Sequence, residues 1–229
     1  AQNPDDDILE VPKITAEQIG QFSTSDGAIS SFWNDWGSKD YIDMNTTNNS
    51  YPERDAWDGA DDANITIKAA ASENGLYFYC LVQDNVWVDA SSGENSWASD
   101  AVDLYFDSKS SSEIESGGES IMVNPAYGWA LTYTSQQMQV WMGATSIPDA
   151  FMFNYYDELY WTWSYNNTSF SNAALLYDGM TMEVVSVDAT SKAQEWFIPW
   201  TWVGTGGVTD VSQGKQIGFS GGYNDLDGD

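Results

Sequence analysis

One stretch of the sequence, residues 95–108, constrains the fold of this chain more than any other. Apolar and polar residues alternate along it: Val102, Leu104 and Phe106 on one parity, Asp103, Tyr105 and Asp107 on the other. A period of two puts the apolar set on the core face of a β-strand and the polar set on the opposite face. Trp97 and Asp100 lie just before the strand. A flat apolar ring beside carboxylates is suited to present a surface to a sugar. The alternative is that Trp97 packs over a sheet edge and the acids are merely solvated.

Short strand-like segments separated by turn residues recur along the rest of the chain. They cover residues 65–71, 76–82, 120–124, 129–134, 138–143, 151–165 (one or two strands), 180–187, 195–200 and 217–223. The spacing of Thr15 and Gln18 is that of a capping box and predicts one short helical turn, whereas residues 40–55 are predicted to be a loop. This pattern indicates an all-β fold, an antiparallel β-sandwich of two sheets, immunoglobulin- or jelly-roll-like, with minimal helix. We expect residues 1–20 to be an acidic lead-in and residues 21–229 to form a single sandwich domain.

Charge excludes several classes of partner. The 229 residues include 35 acidic and 7 basic side chains, for a formal net charge of −28. Nucleic acids and anionic membrane surfaces carry the same sign, so neither is an expected partner. No apolar run has the length of a membrane-spanning helix. Bound divalent cations would relieve the self-repulsion, as would a salty medium of the kind that a halophilic source provides.

The residues that are missing exclude much catalytic chemistry. The chain has no histidine, which rules out zinc sites with imidazole ligands and nucleophile–histidine pairs. Its single cysteine, Cys80, lies in an apolar run and is predicted to be an inert core residue that forms no intrachain disulfide. A glycosidase needs two paired carboxylates, but no spacing among the 35 acids singles out a pair. We therefore predict that the protein is not an enzyme.

Acidic turns offer candidate ligands for calcium. Three of them combine aspartates with glycine or asparagine, at residues 58–62, 83–85 and 224–229. Calcium prefers six to eight oxygen ligands, and turns of this kind supply several each. Solvated turns that bind nothing are the alternative for any one of them. The candidate metal ligands are Asp58, Asp61, Asp62, Asp84, Asp100, Asp225 and Asp227.

Aromatic residues are unusually frequent, with 12 Trp, 13 Tyr and 9 Phe. Most aromatic residues in strands pack in the core. Trp161 and Trp163 share one parity, so they face the same way. Burying one face of an indole, about 100 Å², contributes roughly 2–3 kcal/mol before ordering costs. Two exposed Trp side chains would therefore make a usable sugar clamp.

The order of landmarks resembles the family 9 carbohydrate-binding modules and their wider DOMON-like relatives. The matching pieces are Asp26-Gly27 with Trp33, residues 74–78 leading to Gln83-Asp84, residues 97–107, residues 195–200, and residues 217–219 closing on Asn224-Asp225. The resemblance implies a calcium-stabilised, secreted or cell-surface β-sandwich that binds polysaccharide or glycan chains without catalysis. It also implies that Trp97 is one jaw of an aromatic clamp, that Asp103 and Asn124 lie at polar sugar-contact positions, and that Asp84 is the best calcium ligand.

Two departures from the family pattern leave alternatives open. Met122 stands where the family often has a basic residue, and the sequence ends at Asp229, before the second clamp tryptophan of the family. Either the chain is truncated, or the second jaw is Trp161 or Trp163, or the sandwich has lost its sugar site. In the last case a calcium-dependent structural or adhesive surface module, assembling with itself or with other domains, is the alternative function. A haem-binding relative would need Met122 with a lysine as axial ligands.

The start of the chain bears on its location. The opening residues 1–7 are acidic, with neither an initiator Met nor a basic region. They resemble a mature N-terminus left after removal of a signal peptide, although a cloned fragment would start in the same way. Together with the resemblance, they lead us to expect an extracellular or cell-surface location.

Overall fold

The structure, a computed structural model, describes the chain in several stretches. They are residues 11–35, 41–43, 63–88, 99–107, 122–124, 129–131, 135–143, 150–154, 179–201, 203, 214 and 217–225. The described helices are α1, Ala16–Ile19, and a 3-10 helix, Ser31–Asp35. The described strands are β1 Tyr41–Asp43, β2 Ala63–Ala71, β3 Gly75–Asp84, β4 Ala101–Asp107, β5 Met122–Asn124, β6 Trp129–Leu131, β7 Ser135–Trp141, β8 Ala150–Asn154, β9 Thr181–Ser186, β10 Ser191–Pro199 and β11 Gly218–Asn224.

The strands form two principal antiparallel sheets. Sheet A has the order β1-β2-β3-β10-β9, sheet B has the order β11-β4-β7-β8, and β5 and β6 make a separate hairpin. Every pairing between these strands is antiparallel. The all-β sandwich predicted from the sequence is therefore confirmed. One prediction was wrong: residues 41–43, assigned to a loop, form the edge strand β1, which pairs with β2. Its sequence, Tyr-Ile-Asp, is too short to give a periodic signal.

The main core lies between the two sheets. It combines inward-facing residues of sheet A, such as Ile67, Phe78 and Trp196, with Leu104 and Phe106 of sheet B, all of them buried. The rings of Phe78 and Phe106 meet edge to face with centroids 5.5 Å apart. The alternation in β4 thus places its apolar parity in the core, as predicted, while Asp103 is only partly buried on the opposite face.

A second apolar layer covers the outer face of sheet A. Residues 11–35 lie across that face, and Ile14, Phe32 and Trp33 pack there against Tyr77 and Tyr79 of β3. This layer explains why β3 is apolar on both parities, because both of its faces are buried. Residues 11–20, the described half of the stretch predicted to be the N-terminal lead-in, belong to this layer: Ile14 N donates a hydrogen bond of 2.9 Å to Ala71 O.

The short helical turn predicted from the spacing of Thr15 and Gln18 is present in this layer. Gln18 N donates to Thr15 Oγ1 at 3.2 Å and Thr15 N donates to Gln18 Oε1 at 2.9 Å, which is the capping box predicted for α1. Cys80 is fully buried in the main core, and burial raises the pKa of its thiol well above the ordinary value.

Within the described residues no helix is long and apolar enough to cross a membrane.

Candidate metal centre and binding face

Three aspartates from three strand ends meet at one end of the sandwich. Asp84 is the last residue of β3, Asp100 directly precedes β4, and Asp225 directly follows β11. One carboxylate oxygen of each lies within 4.8 Å of those of the other two. Asp84 and Asp100 are buried, and Asp225 is partly buried with its Oδ1 atom shielded from solvent. We call Asp84, Asp100 and Asp225 the aspartate cluster.

Backbone amides orient two of these carboxylates. Val86 N donates to Asp84 Oδ1 at 2.8 Å, in the tight turn that follows β3. Val88 N donates to Asp100 Oδ2, while Asp100 N donates back to Val88 O at 3.0 Å. The segment 85–88 therefore ties the end of β3 to the start of β4. The carboxylates are held in place by the chain itself, as a preformed ligand set requires.

Tyr223 of β11 completes this arrangement. Its hydroxyl donates a short hydrogen bond to Asp84 Oδ2, which links sheet B to sheet A. Burial raises the pKa of Tyr223, and the hydrogen bond to Asp84 and the negative charges of Asp100, Asp84 and Asp225 raise it further. The phenol therefore stays a neutral donor at any ordinary pH.

The donor set suits a hard cation. Carboxylate oxygens are the preferred ligands of calcium and magnesium, and calcium tolerates irregular geometry and fills its remaining positions with carbonyls or water. Two carboxylate charges no more than 4.8 Å apart repel by roughly 3 kcal/mol or more at an effective dielectric of about 20. A bound divalent ion would replace that repulsion by attraction. The fit of these residues to a calcium ion is therefore good.

The predicted metal ligands have separate outcomes. Asp84, Asp100 and Asp225 come from sequence positions far apart, and the structure brings them together. Asp58, Asp61, Asp62 and Asp227 lie outside the described residues, so their role as ligands stays a prediction.

Asp103 is the one predicted sugar-contact residue whose side chain the structure describes. It lies on the outer face of sheet B, where its register neighbours are Gln139 of β7 and Gly222 of β11. A Cβ built on Gly222 would meet no atom within 4 Å. The position beside Asp103 is thus open, and a ligand could approach the carboxylate from there.

Of the other predicted sugar-contact residues, the structure describes only the backbone of Asn124. Asn124 ends β5 and pairs with Trp129 of β6. Trp97, Trp161 and Trp163 lie outside the described residues, so the aromatic clamp stays a prediction. Trp196 and Trp200 are buried, as expected of tryptophans that belong to the core.

Sequence reasoning missed two buried acids on the outer face of sheet A, the face that the N-terminal layer covers. Glu195 of β10 is fully buried and accepts hydrogen bonds from Ser30 N, at 3.1 and 3.0 Å, and from Trp33 Nε1, at 2.6 Å. Its cross-strand neighbour in β9 is Glu183, which is 8% exposed. Burial is the largest cause that raises the pKa of each carboxyl. Glu195 shares the parity of buried Ala193 within β10, a signal that could have located it, whereas Glu183 reaches the same face only through the register of β9 with β10.

The comparisons agree with the resemblance expected from the sequence. Residues 26–124 match the family described as "Carbohydrate family 9 binding domain-like". The chain thus carries the sequence pattern of the family 9 carbohydrate-binding modules over this part of its length, and the predicted resemblance is confirmed.

The solved structures that resemble this chain include a family 9 carbohydrate-binding module from Caldicellulosiruptor kristjanssonii in complex with glucose. The two sequences are 13% identical, and the TM-score is 0.42. The match covers 82% of this chain and 66% of the other, so this chain spans slightly less than two thirds of that protein's length. A comparison with curated proteins found no match.

Proposed function

We propose that this protein is a non-catalytic carbohydrate-binding module that binds polysaccharide or glycan chains on the outer face of sheet B. The match of residues 26–124 to the family 9 domains carries this proposal. The binding face would be built around Asp103, with Trp97 as an aromatic platform and Asn124, Trp161 and Trp163 as further contacts. A related module was solved with glucose, which makes a glucose-containing glycan the first ligand to try.

The geometry around Asp103 supports this location. A carboxylate can accept hydrogen bonds from two neighbouring sugar hydroxyls, and the glycine beside it leaves room for a ring. An aromatic side chain stacked on the apolar face of that ring would supply most of the affinity. Trp97 is only six positions before Asp103 in the chain, within reach of the same end of β4.

Calcium would serve this site as a structural ion. The aspartate cluster joins the ends of β3, β4 and β11, so an ion held there would fix the segment that enters β4. That segment contains Trp97, three residues before Asp100. The ion would thus hold the aromatic platform in position without touching the sugar. We propose that the protein is secreted or displayed at a cell surface, where millimolar calcium keeps such a site filled.

Affinity electrophoresis against a panel of soluble polysaccharides tests the proposal. In calcium, the wild-type protein should be retarded by one class of glycan. Gly222→Leu should abolish the retardation because its side chain would fill the open position beside Asp103, and Asp103→Ala should weaken it. Glu17→Ala removes an exposed carboxylate from α1, outside both sheets, and should be retarded like the wild type. Retardation that persists in Gly222→Leu would move the site away from this face.

No retardation by any glycan would contradict the proposal altogether. Calcium-dependent assembly, measured by light scattering and reversed by EDTA, would then favour the structural or adhesive module. The large negative charge of the chain, −28, would make such assembly depend on divalent ions.

A further inference from the structure

A second group of carboxylates lies on the outer face of sheet A, away from the aspartate cluster. Glu183 of β9 and Glu195 of β10 are directly opposite each other. Asp26, in the bend that precedes the 3-10 helix, brings a third carboxylate near Glu183, because the next residue, Gly27, donates its N–H to Glu183 Oε2 at 3.0 Å. The pKa of Glu183 is raised by burial and also by the charge of Asp26. Like charges directly opposite on neighbouring strands destabilise a sheet unless something compensates them.

Glu195 is compensated by the chain itself. Ser30 N donates to both of its oxygens, and Trp33 Nε1 donates to Oε1 at 2.6 Å. Three hydrogen bonds to a carboxylate favour its charged form. These bonds make Glu195 a structural anchor that ties the N-terminal layer to β10, although burial still raises the pKa of its carboxyl.

Only one of the two carboxylate oxygens of Glu183 accepts a hydrogen bond from the described part of the chain. Its Oε2 accepts a hydrogen bond of 3.0 Å from Gly27 N. Its Oε1 receives no hydrogen bond from any group in the described part of the chain. Water cannot easily replace the missing donor, because this oxygen is buried and the residue is only 8% exposed. A buried carboxylate oxygen without a donor loses its hydration without a compensating hydrogen bond, which destabilises the folded state. The nearby Asp26 carboxylate makes this position more negative still.

We propose that Asp26 and Glu183 bind a hard divalent cation, such as calcium or magnesium, at a site separate from the aspartate cluster. Glu183 Oε1 and the Asp26 carboxylate would be the protein ligands. Asp26 is exposed, so water can fill the remaining positions that such ions require. Ala28 N donates to Asp26 Oδ1 at 3.0 Å and, with Gly27 N on Glu183, sets the two carboxylates in fixed orientations.

The ion would fasten the N-terminal layer to sheet A. Asp26 belongs to the segment that covers Tyr77 and Tyr79, while Glu183 belongs to β9 at the edge of that sheet. A cation shared between them joins two parts of the chain 157 residues apart. The competing arrangement is a proton shared between the two carboxyl groups, so the experiment has to distinguish a bound cation from a shared proton.

Calcium titration of the ¹⁵N-labelled protein at neutral pH and constant ionic strength provides the test. The Gly27 and Ala28 amides, which donate to Glu183 and Asp26, should shift saturably as calcium is added. The Val86 and Val88 amides, which donate to Asp84 and Asp100, report on the aspartate cluster in the same sample. Asp26→Asn and Glu183→Gln should each abolish the response of Gly27 and leave that of Val86 intact. Glu17→Gln, an exposed acid of the same N-terminal layer, should leave both responses unchanged.

Two results would overturn the proposal. One is a Gly27 amide that does not respond while Val86 responds, because this would mean that calcium binds only at the aspartate cluster. The other is a ¹³C signal of the Glu183 carboxyl that remains that of the protonated acid at neutral pH in saturating calcium, because a shared proton would then hold the pair together. Asp26 is exposed, so Asp26→Asn should fold even if Glu183→Gln does not. The outcome does not depend on whether the protein binds a glycan.

Discussion

Most of the stabilisation that calcium provides should be lost when one charge of the aspartate cluster is removed. Without an ion, Asp84, Asp100 and Asp225 repel one another, by roughly 3 kcal/mol or more for each pair of oxygens within 4.8 Å. An ion present at about a hundred times its dissociation constant adds about 2.7 kcal/mol to the free energy of unfolding. For a domain of this size, that corresponds to a rise of about 5–11 °C in melting temperature.

Asp84→Asn is the informative substitution because it conserves shape. The asparagine Oδ1 can still accept from Val86 N, and the Tyr223 hydroxyl can turn to accept from the new amide. Without calcium, the variant loses two of the three repulsive pairs, so its melting temperature should equal or exceed that of the unsubstituted protein. With calcium, it should gain little, because one of three charged ligands is gone.

Differential scanning calorimetry in calcium and in EDTA measures both effects. The comparison is made in the Asp26→Asn background, so that Asp26 and Glu183 contribute nothing to the gain. Sodium chloride at matched ionic strength controls for general screening of the net charge, and Glu17→Gln controls for the loss of any one acid. The reasoning is refuted if sodium chloride stabilises as much as calcium. It is also refuted if Asp84→Asn melts lower than its parent in EDTA, or gains as much from calcium.

Three further predictions concern the sandwich itself. Cys80 is fully buried with a raised pKa, so a thiol reagent should leave the native protein unmodified and react stoichiometrically once urea unfolds it; rapid reaction of the native protein would contradict this burial. Burial and the charge of Glu195 raise the pKa of Tyr79 to about 12, against about 10 in the unfolded chain. Because the folded state holds this proton more tightly, the stability that Tyr79 provides should be intact below about pH 10 and decrease towards about pH 12. Tyr79→Phe should flatten that decline in urea melts, and an unchanged slope would assign the loss elsewhere. Gly75→Ala would put a Cβ 2.2 Å from Ile198 O and should cost about 1–3 kcal/mol or more. Gly222→Ala, with open space around it, is the matched control, and equal urea midpoints for the two variants would contradict the packing described for Gly75.

The sandwich was predictable where the hydrophobic period was strong. β4 alternates over seven residues, and Val102, Leu104 and Phe106 are buried as that period requires. The apolar run of β3 predicted burial on both faces without showing what covers the outer one. That cover is the N-terminal layer, and the sequence indicated it only through the capping box of α1 and the Trp33 anchor.

The candidate site was predictable in part. Asp84, Asp100 and Asp225 were each chosen as ligands, but their meeting depends on the register that pairs β11 with β4 and on the packing of sheet A against sheet B. A single sequence does not reveal such long-range pairings. Glu183 and Glu195 escaped notice for the same reason, since a buried acid and a solvated acid look alike until the covering segment is known.

Glycan binding through the outer face of sheet B is the function that we propose for this protein. Isothermal titration of the protein in calcium, with the polysaccharide that retards it most in electrophoresis, tests this claim most directly. We predict saturable binding by the wild type, none by Gly222→Leu, and wild-type affinity for Glu17→Ala. Equal heats for all three proteins, or no heat with any glycan of a broad panel, would contradict the account.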